Sequence, residues 1–177
     1  MKDEFRIIAI TSPQHIPGEA MKINEILCNN EADLVHIRKP LWTEDQTIEL
    51  LQQISPEFYN RIKLHDHFSL LQWFPLLGIH LNSRNSIVPK NVVLSVSCSF
   101  HNIDQLVKAD QYDYVTLSPI FDSISKSDYR SAFSLSELAP YLNGKRVIAL
   151  GGVTPDKFEQ LKNAGFAGAA MLGYFWN

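Results

Sequence analysis

The sequence predicts a single α/β domain with the architecture of a (β/α)8 barrel, and three observations lead to this prediction. Eight short apolar segments are mostly separated by segments with helical spacing, which is typical of successive βα units. Several of the eight are apolar on both faces, as a parallel sheet covered on both sides requires: 7–10, 92–96 and 147–150. The length of 177 residues suits about one domain, so we predict that the domain covers 1–177.

Four strands are predicted in the first half of the chain, each a short apolar run: 5–11, 33–39, 61–66 and 77–81. Three helices are predicted between them from apolar spacing or from start and stop signals: 18–29, 43–55 and 69–74. Thr43 and Gln46 have the spacing of a capping box, so the second helix is expected to begin there. Pro40 ends the second strand and Pro75 ends the short third helix, because proline lacks the backbone N–H that either element needs.

The alternation continues in the second half, where strands are predicted at 91–97, 112–117, 146–150 and 166–172. Helices are predicted at 101–109, at 134–142 with Ser134 as a cap, and after Thr154, which precedes a proline at the first helical position. A long polar loop at 118–130 follows the sixth strand. The sequence stops soon after the eighth strand, so the closing helix is expected to be missing or to lie outside it. An open sheet of the flavodoxin type is the structural alternative, which eight strands disfavour.

Composition excludes several classes of protein. Hydrophobic residues make up 45% and charged residues 20%, which is ordinary for a globular domain and unlike a disordered chain. The net charge of −3 disfavours a general nucleic-acid or anionic-membrane binder, since such proteins are usually basic. No apolar run approaches the roughly 18 residues of a membrane span, and the two cysteines are far apart. We therefore expect a reduced, cytoplasmic protein without nucleic-acid or membrane partners, and leave open whether it is a homo-oligomer.

Functional residues of a (β/α)8 barrel lie where the strands end and the following loops begin. At these positions the sequence has polar and cationic side chains around one carboxylate: His36, Arg38, Lys39, His65, Asp66, Asn85 and Ser97. Arg38 and Lys39 suit an anionic group, because arginine forms bidentate contacts and lysine supplies a point charge. Gly151-Gly152 follows the seventh strand and Gly173 follows the eighth, where glycine lets backbone N–H groups approach a phosphate. The sequence therefore predicts a phosphate-binding site.

Further residues extend this predicted site. Ser123, Ser125 and Lys126 in the long loop can hold a diphosphate through hydroxyl groups and charge. The carboxylate of Asp66 suits Mg²⁺, which commonly binds one or two carboxylates and substrate phosphate oxygens; its alternative role is to cap the following helix. Three histidines fall on adjacent predicted strands: His36, His65 and His80. Without an HxH pattern or a second carboxylate, we expect hydrogen-bonded histidines rather than zinc ligands.

Taken together, these residues resemble the thiamine-phosphate synthase and thiazole tautomerase superfamily over 7–173, in order along the chain. The motifs that carry the resemblance are His36-Ile37-Arg38, His65-Asp66, His80 to Asn85, Ser95-Val96-Ser97, Ser118 to Lys126, and Gly151-Gly152-Val153-Thr154-Pro155. Several residues depart from the family pattern, and three of these departures bear on ligands or on the branch of the family. Asn85 replaces the second acidic metal ligand, and Pro40 replaces a lysine for which Lys39 is expected to substitute. Pro119 stands where the tautomerase branch has a histidine.

The resemblance implies a transferase of thiamine biosynthesis, which couples hydroxymethylpyrimidine diphosphate with thiazole phosphate and releases diphosphate. It implies Mg²⁺ as the cofactor, bound by Asp66 and Asn85, and assigns catalytic roles to Arg38 and Lys126. The substrate-binding residues that it implies are His36, Lys39, His65, Ser97, Ser123, Ser125, Gly151, Gly152 and Gly173. Two alternatives stay open: a thiazole tautomerase, and a non-catalytic phosphate-ligand-binding or regulatory relative.

Overall fold

The structure is a computed structural model that describes residues 5–90, 94–122 and 133–176. Eight parallel strands close into a barrel in chain order: β1 (Arg6–Ile10), β2 (Leu34–Ile37), β3 (Ile62–Leu64), β4 (Gly78–Leu81), β5 (Ser95–Phe100), β6 (Tyr114–Leu117), β7 (Val147–Leu150) and β8 (Gly168–Met171). Strand β8 pairs with β1 as well as with β7, which closes the ring. The predicted (β/α)8 barrel is therefore confirmed, and the open-sheet alternative is wrong.

The connections outside the barrel combine α-helices with 3-10 helices. The α-helices are α1 (Glu19–Cys28), α2 (Glu44–Gln52), α3 (Leu135–Leu142), α4 (Phe158–Ala164) and α5 (Gly173–Trp176). The 3-10 helices are Pro56–Arg61, Phe68–Gln72, Ile103–Gln111 and Pro155–Lys157. The helices predicted at 69–74 and 101–109 thus form as 3-10 helices, which are frequent as short connectors. None of the described helices has the length and hydrophobicity needed to cross a bilayer.

Helix start signals were only partly predictive. The capping box at Thr43 is confirmed, since Gln46 N donates to Thr43 Oγ1 at 3.3 Å and Thr43 N donates to Gln46 Oε1 at 2.9 Å. Asn102 forms a second capping box, which was not predicted. Ser134 and Thr154 are the N-cap residues, as predicted, but within the described part of the chain neither side chain forms the expected hydrogen bond with a backbone N–H of its helix.

Strand β5 lies further along the chain than predicted. The prediction placed it at 91–97 because of the apolar run there, whereas the structure places it at Ser95–Phe100. In this register Ser97 lies opposite His80 on β4 and opposite Tyr114 on β6. The serine hydroxyl groups of β5 bind a buried histidine, so the strand gains hydrogen bonds where its apolar content is low. Residues 91–93 lie outside the described residues.

The interior of the barrel is apolar on one side and polar on the other. An apolar cluster fills it mainly from β1, β7 and β8: Ile8, Ile10, Leu34, Tyr114, Ile148 and Ala170. Strands β2 to β6 contribute buried polar side chains instead: His36, Lys63, His80, Ser97 and Thr116. The larger apolar core lies outside the barrel, between strands and helices. Helix packing can therefore stabilise the fold, which leaves the polar side chains inside available for a site at the barrel mouth.

The chain continues past β8 into a short helix that was not predicted. The one-turn helix α5 begins at Gly173, directly after the strand. Trp176 Nε1 donates to the carbonyl oxygen of Ile10 at 2.6 Å, so α5 is bound to the end of β1. This contact places α5 at the carboxyl end of the strands, beside the cavity described below.

Candidate active site

A cavity of about 650 Å³ opens at the carboxyl ends of the strands, the end at which (β/α)8 barrels place their active sites. All eight strands contribute to its wall, through residues at or just beyond their ends: Ile10, Arg38, His65, His80, Ser99, Ser118, Leu150 and Ala170. Of the predicted site residues, those that line the cavity are Arg38, His65, Gly151, Gly152 and Gly173. The barrel thus brings together residues that are far apart in the sequence.

The glycine edge of the cavity consists of Gly151 and Gly152 after β7. Their φ angles are 93° and 60°, which lie in the left-handed region that favours glycine. A Cβ atom on Gly152 would collide with the carbonyl oxygen of Asp122, and one on Gly151 would lie 2.9 Å from the Cα of Pro119. Both glycines are therefore required by the close approach of the loop after β6, in addition to any role towards a phosphate.

Two arginines form the opposite edge. Arg38 follows β2 and is half-buried, and its backbone N–H donates to Thr11 Oγ1 at 2.8 Å. Arg84 follows β4 and also lines the cavity, although it was not singled out as a site residue. Burial, followed by the positive charge of Arg84, lowers the pKa of Arg38, and Asp66 acts in the opposite direction. The signal that could have indicated Arg84 is its position beside Asn85, where the family's acidic ligand is lost.

Asp66 forms an ion pair with Arg84 instead of facing the cavity freely. Arg84 Nη2 lies 3.1 Å from Asp66 Oδ1, and Nε of the same guanidinium lies 3.4 Å from that atom. Asn85 Nδ2 donates to Asp66 Oδ1 at 2.9 Å and to the carbonyl oxygen of His65 at 3.0 Å. Since a carboxylate and a carbonyl only accept hydrogen bonds here, the side-chain amide of Asn85 must point its nitrogen at them.

These contacts decide whether the expected metal ligands fit Mg²⁺. A magnesium site needs several oxygen atoms directed at one point. Here Asn85 directs N–H groups at Asp66, and the guanidinium of Arg84 covers the carboxylate. As arranged, Asp66 and Asn85 do not fit Mg²⁺, which corrects the ligand set expected from the sequence. The physical reason is that donors and a fixed cation already satisfy the carboxylate.

Below the cavity, three histidines belong to a hydrogen-bonded network inside the barrel. His36 Nδ1 and His65 Nε2 are 2.9 Å apart, and His36 Nε2 lies 2.6 Å from the hydroxyl of Tyr114. His80 Nδ1 lies 2.9 Å from Ser97 Oγ, to which Lys63 Nζ also donates at 3.0 Å. His36 and Ser97, predicted to bind substrate, are completely buried and contact His65 and His80 instead. They support the cavity floor rather than form its surface.

Burial keeps the three histidines of this network neutral. It is the main cause that lowers the pKa of His36 and of His65 well below the usual histidine value. Burial, together with the charge of Lys63, lowers the pKa of His80 to about 3. Burial also lowers the pKa of Lys63 to about 7. The cavity floor therefore offers neutral imidazoles, which can donate or accept a hydrogen bond without adding charge.

Lys39 does not point towards the cavity, contrary to the prediction. Its Nζ lies 2.6 Å from Glu19 Oε2, donates to the carbonyl oxygen of Gln14 at 2.7 Å, and lies 4.4 Å from the ring centre of Trp42. The lysine is only 1% exposed. A buried lysine needs a partner for its charge, because it has lost its contact with water. Glu19, the first residue of α1, is this partner. Successive side chains of an extended segment point in opposite directions. If Arg38 faces the cavity, this alternation predicts that Lys39 faces away from it.

The loop predicted at 118–130 is described only up to Asp122. The predicted site residues Ser123, Ser125 and Lys126 lie outside the described residues, and their roles stay predictions. The described part is held against β7: Ile120 N donates to the carbonyl oxygen of Leu150 at 2.9 Å, and Phe121 N to that of Gly151 at 3.0 Å. The loop therefore starts at the glycine edge of the cavity.

Known proteins resemble this chain in sequence and in structure. A thiamine-phosphate synthase from Nitrosococcus oceani is 27% identical over 136 residues, covering 71% of this chain and 62% of that protein. One from Latilactobacillus sakei is 27% identical over 107 residues, covering 54% and 47%. The chain thus spans about three fifths and about half of the length of these two relatives.

The crystal structure of a thiamine phosphate pyrophosphorylase from Bacteroides thetaiotaomicron is 34% identical and has a TM-score of 0.85. The match covers 98% of this chain and 85% of that chain. The family model for thiamine monophosphate synthase matches residues 7–174, which include both edges of the cavity and all of the barrel except Arg6, the first residue of β1. The chain belongs to the thiamine monophosphate synthase family.

Proposed function

We propose that this chain is a thiamine-phosphate synthase, which couples hydroxymethylpyrimidine diphosphate with thiazole phosphate and releases diphosphate. The observation that carries the proposal is that two edges suited to anions face each other across one cavity. Gly151 and Gly152 follow β7, whereas Arg38 and Arg84 follow β2 and β4, on the opposite side of the ring of eight strands. Two phosphorylated substrates that react with each other need two such edges.

In this proposal the protein provides charge and position, and the substrates provide the reacting atoms. The thiazole nitrogen attacks the methylene carbon of the pyrimidine, a C–N bond forms, and the C–O bond to diphosphate breaks with its electron pair. Negative charge therefore increases on the diphosphate oxygens, where preorganised cations are most effective. Arg38 supplies one such charge from the cavity wall, and Lys126 is proposed to supply another. No side chain needs to act as a nucleophile.

The rest of the cavity suits the two heterocycles. Apolar side chains line its wall between the glycine edge and the arginine edge, among them Ile10, Leu150 and Met171. Such a wall excludes water from the reacting atoms and strengthens their interaction with nearby charges. His65 lines the floor, and its neutral Nδ1 suits a ring nitrogen or the amino group of a pyrimidine.

The proposal also covers the cofactor, the extent of the domain and the cellular compartment. Magnesium is the cofactor that the resemblance implies; because Asp66 and Asn85 do not fit it as arranged, we assign it no step. We propose that 1–177 acts as one domain on small-molecule substrates in the cytoplasm. Cys28 and Cys98 are free thiols, which agrees with a reducing compartment.

The direct test is a coupling assay with purified protein, hydroxymethylpyrimidine diphosphate and thiazole phosphate, in which thiamine phosphate and diphosphate are both measured. We expect equal amounts of the two products, and none when either substrate is omitted. Absence of both products with active precursors, confirmed with a known synthase, would contradict the proposal.

A second candidate function is a phosphate-ligand binder that does not catalyse transfer. The observation that favours it is the ion pair of Asp66 with Arg84, which covers the carboxylate expected to bind the metal. Calorimetric binding of thiazole phosphate or diphosphate, without product in the coupling assay, would favour this candidate over the synthase.

The glycine edge gives a further expected result. Gly152→Ala should weaken phosphate binding about tenfold or more, because the new Cβ collides with the Asp122 carbonyl and displaces the loops around the backbone N–H groups. Gly144→Ala is the matched control, since Gly144 also has a positive φ, of 73°, but no atom within 4 Å of a Cβ. Both variants should lose some thermal stability, whereas only Gly152→Ala should lose affinity in calorimetry. Equal affinities of the two variants would contradict this role.

A further inference from the structure

The loop after β4 presents a positive charge at the place where a metal ion was expected. Arg84 lies on this loop, its side chain is 40% exposed, and it lines the cavity. We propose that Arg84, oriented by Asp66 and Asn85, takes the place of a divalent cation, so that the protein binds diphosphate without Mg²⁺. This inference rests on the proposed function only in naming diphosphate as the anion.

The position of Arg84 is determined at both its backbone and its side chain. The loop turns tightly, with Asn82 N donating to the carbonyl oxygen of Asn85 at 3.0 Å and Asn85 N to that of Asn82 at 3.1 Å. Arg84 N donates to Asn82 Oδ1 at 3.0 Å, and the guanidinium lies against Asp66 through Nε and Nη2. A cation that is held in this way needs little reorganisation when an anion binds.

The guanidinium has donors left for a ligand. Arginine carries five N–H bonds, and here the contacts with Asp66 use Nε and Nη2. Within the described part of the chain, Nη1 of Arg84 has no hydrogen-bond partner. Because the side chain lines the cavity, these remaining donors suit phosphate oxygens, for which the planar fork of arginine is well matched.

Asn85, like Arg84, stands where a metal site would need another group, and it donates to the same carboxylate of Asp66. A metal site would need an acceptor at position 85, but the amide directs a donor at Asp66 and at the carbonyl oxygen of His65. A carboxylate at this position would face two acceptors and be repelled by them. Asparagine and the neighbouring arginine therefore belong together: one removes a negative charge and the other adds a positive one.

The second arginine of this edge adds to the attraction for an anion. Arg38 lines the same cavity, and the charge of Arg84 contributes to lowering its pKa, so the two cations are close enough to repel each other. Asp66 balances only one of the two charges. A bound diphosphate, with at least two negative charges, would relieve this repulsion.

The test is calorimetric titration with inorganic diphosphate, in EDTA and in excess Mg²⁺. We expect wild-type protein to bind in EDTA, with a Kd within about threefold of that in Mg²⁺. Arg84→Ala should weaken binding in EDTA roughly tenfold or more, the scale of losing a charge-assisted contact. Lys162→Ala is the control, since it removes a similarly exposed cation, 45% exposed, from an ion pair on α4. Unchanged melting temperatures would show that the variants are folded.

A double variant, Arg84→Ala with Asn85→Asp, provides a second measurement. It exposes Asp66 and restores the second carboxylate, so diphosphate binding should become dependent on Mg²⁺. The inference is overturned if wild-type protein binds diphosphate only with Mg²⁺, or if Arg84→Ala binds it in EDTA as tightly as wild type.

The coupling assay, repeated in EDTA, separates this inference from the proposed function. Product formed only with Mg²⁺ would overturn the role of Arg84 and leave the synthase proposal intact. Tight binding of diphosphate in EDTA, without product under either condition, would contradict the synthase proposal and support the role of Arg84.

Discussion

Acidification from about pH 7 to about pH 5 is expected to destabilise the folded protein strongly, because the histidines inside the barrel must stay neutral. The pKa of His80 is about 3 in the folded protein, against 6.5 for an ordinary histidine. Between these two values the unfolded chain binds more protons than the folded chain, so stability is lost as the pH falls. For His80 alone the loss at about pH 5 is roughly 2 kcal/mol, a large part of the typical 5–15 kcal/mol. His36 and His65 act in the same direction.

Urea unfolding at several pH values between about 7 and 5 measures this effect. His80→Gln removes the titrating group but keeps a polar side chain near Ser97 and Ser99. The decrease in unfolding free energy over this range should become smaller by about 2 kcal/mol. His15→Gln is the control, since it replaces an exposed histidine in the same way. If His80→Gln and wild-type protein lose the same stability over this range, His80 is not a buried neutral group.

Arg38→Ala and Lys126→Ala should each lower kcat of the coupling reaction roughly a hundredfold or more. This is the scale of losing one preorganised donor to the charge that develops in the transition state. Arg38→Lys should restore only part of the rate, because lysine lacks the planar fork that binds two oxygen atoms. The measurement is steady-state release of diphosphate under saturating substrates.

Lys162→Ala again serves as the control for loss of an exposed cation, and its kcat should match that of wild-type protein. A near wild-type kcat for Arg38→Ala would exclude the arginine from charge stabilisation in the transition state. A near wild-type kcat for Lys126→Ala would do the same for the lysine, which so far rests on the sequence motif alone.

The barrel was predictable because its signals are local. Each strand is a short apolar run between turn signals, and the parallel, doubly covered sheet follows from apolar residues on both faces. The predicted bounds of β5 were wrong because hydrogen bonds, and not apolar residues, stabilise that strand. The hydroxyl groups of Ser97 and Ser99 on β5 bind His80. That reason becomes visible only when β4 and β5 lie side by side.

Residue type and spacing along the chain were enough to predict the eight strands, the glycines after β7 and β8, and the family. What each polar side chain contacts depends on the tertiary structure, because the contacts join residues on different strands and loops that lie far apart along the chain, such as His36 with Tyr114. Lys39 pairs with Glu19 inside the protein, whereas Arg38 lines the cavity. Asp66 meets Arg84, which no spacing rule had connected with it. Folding places these charges beside each other, and burial makes a partner necessary for Lys39 and Glu19.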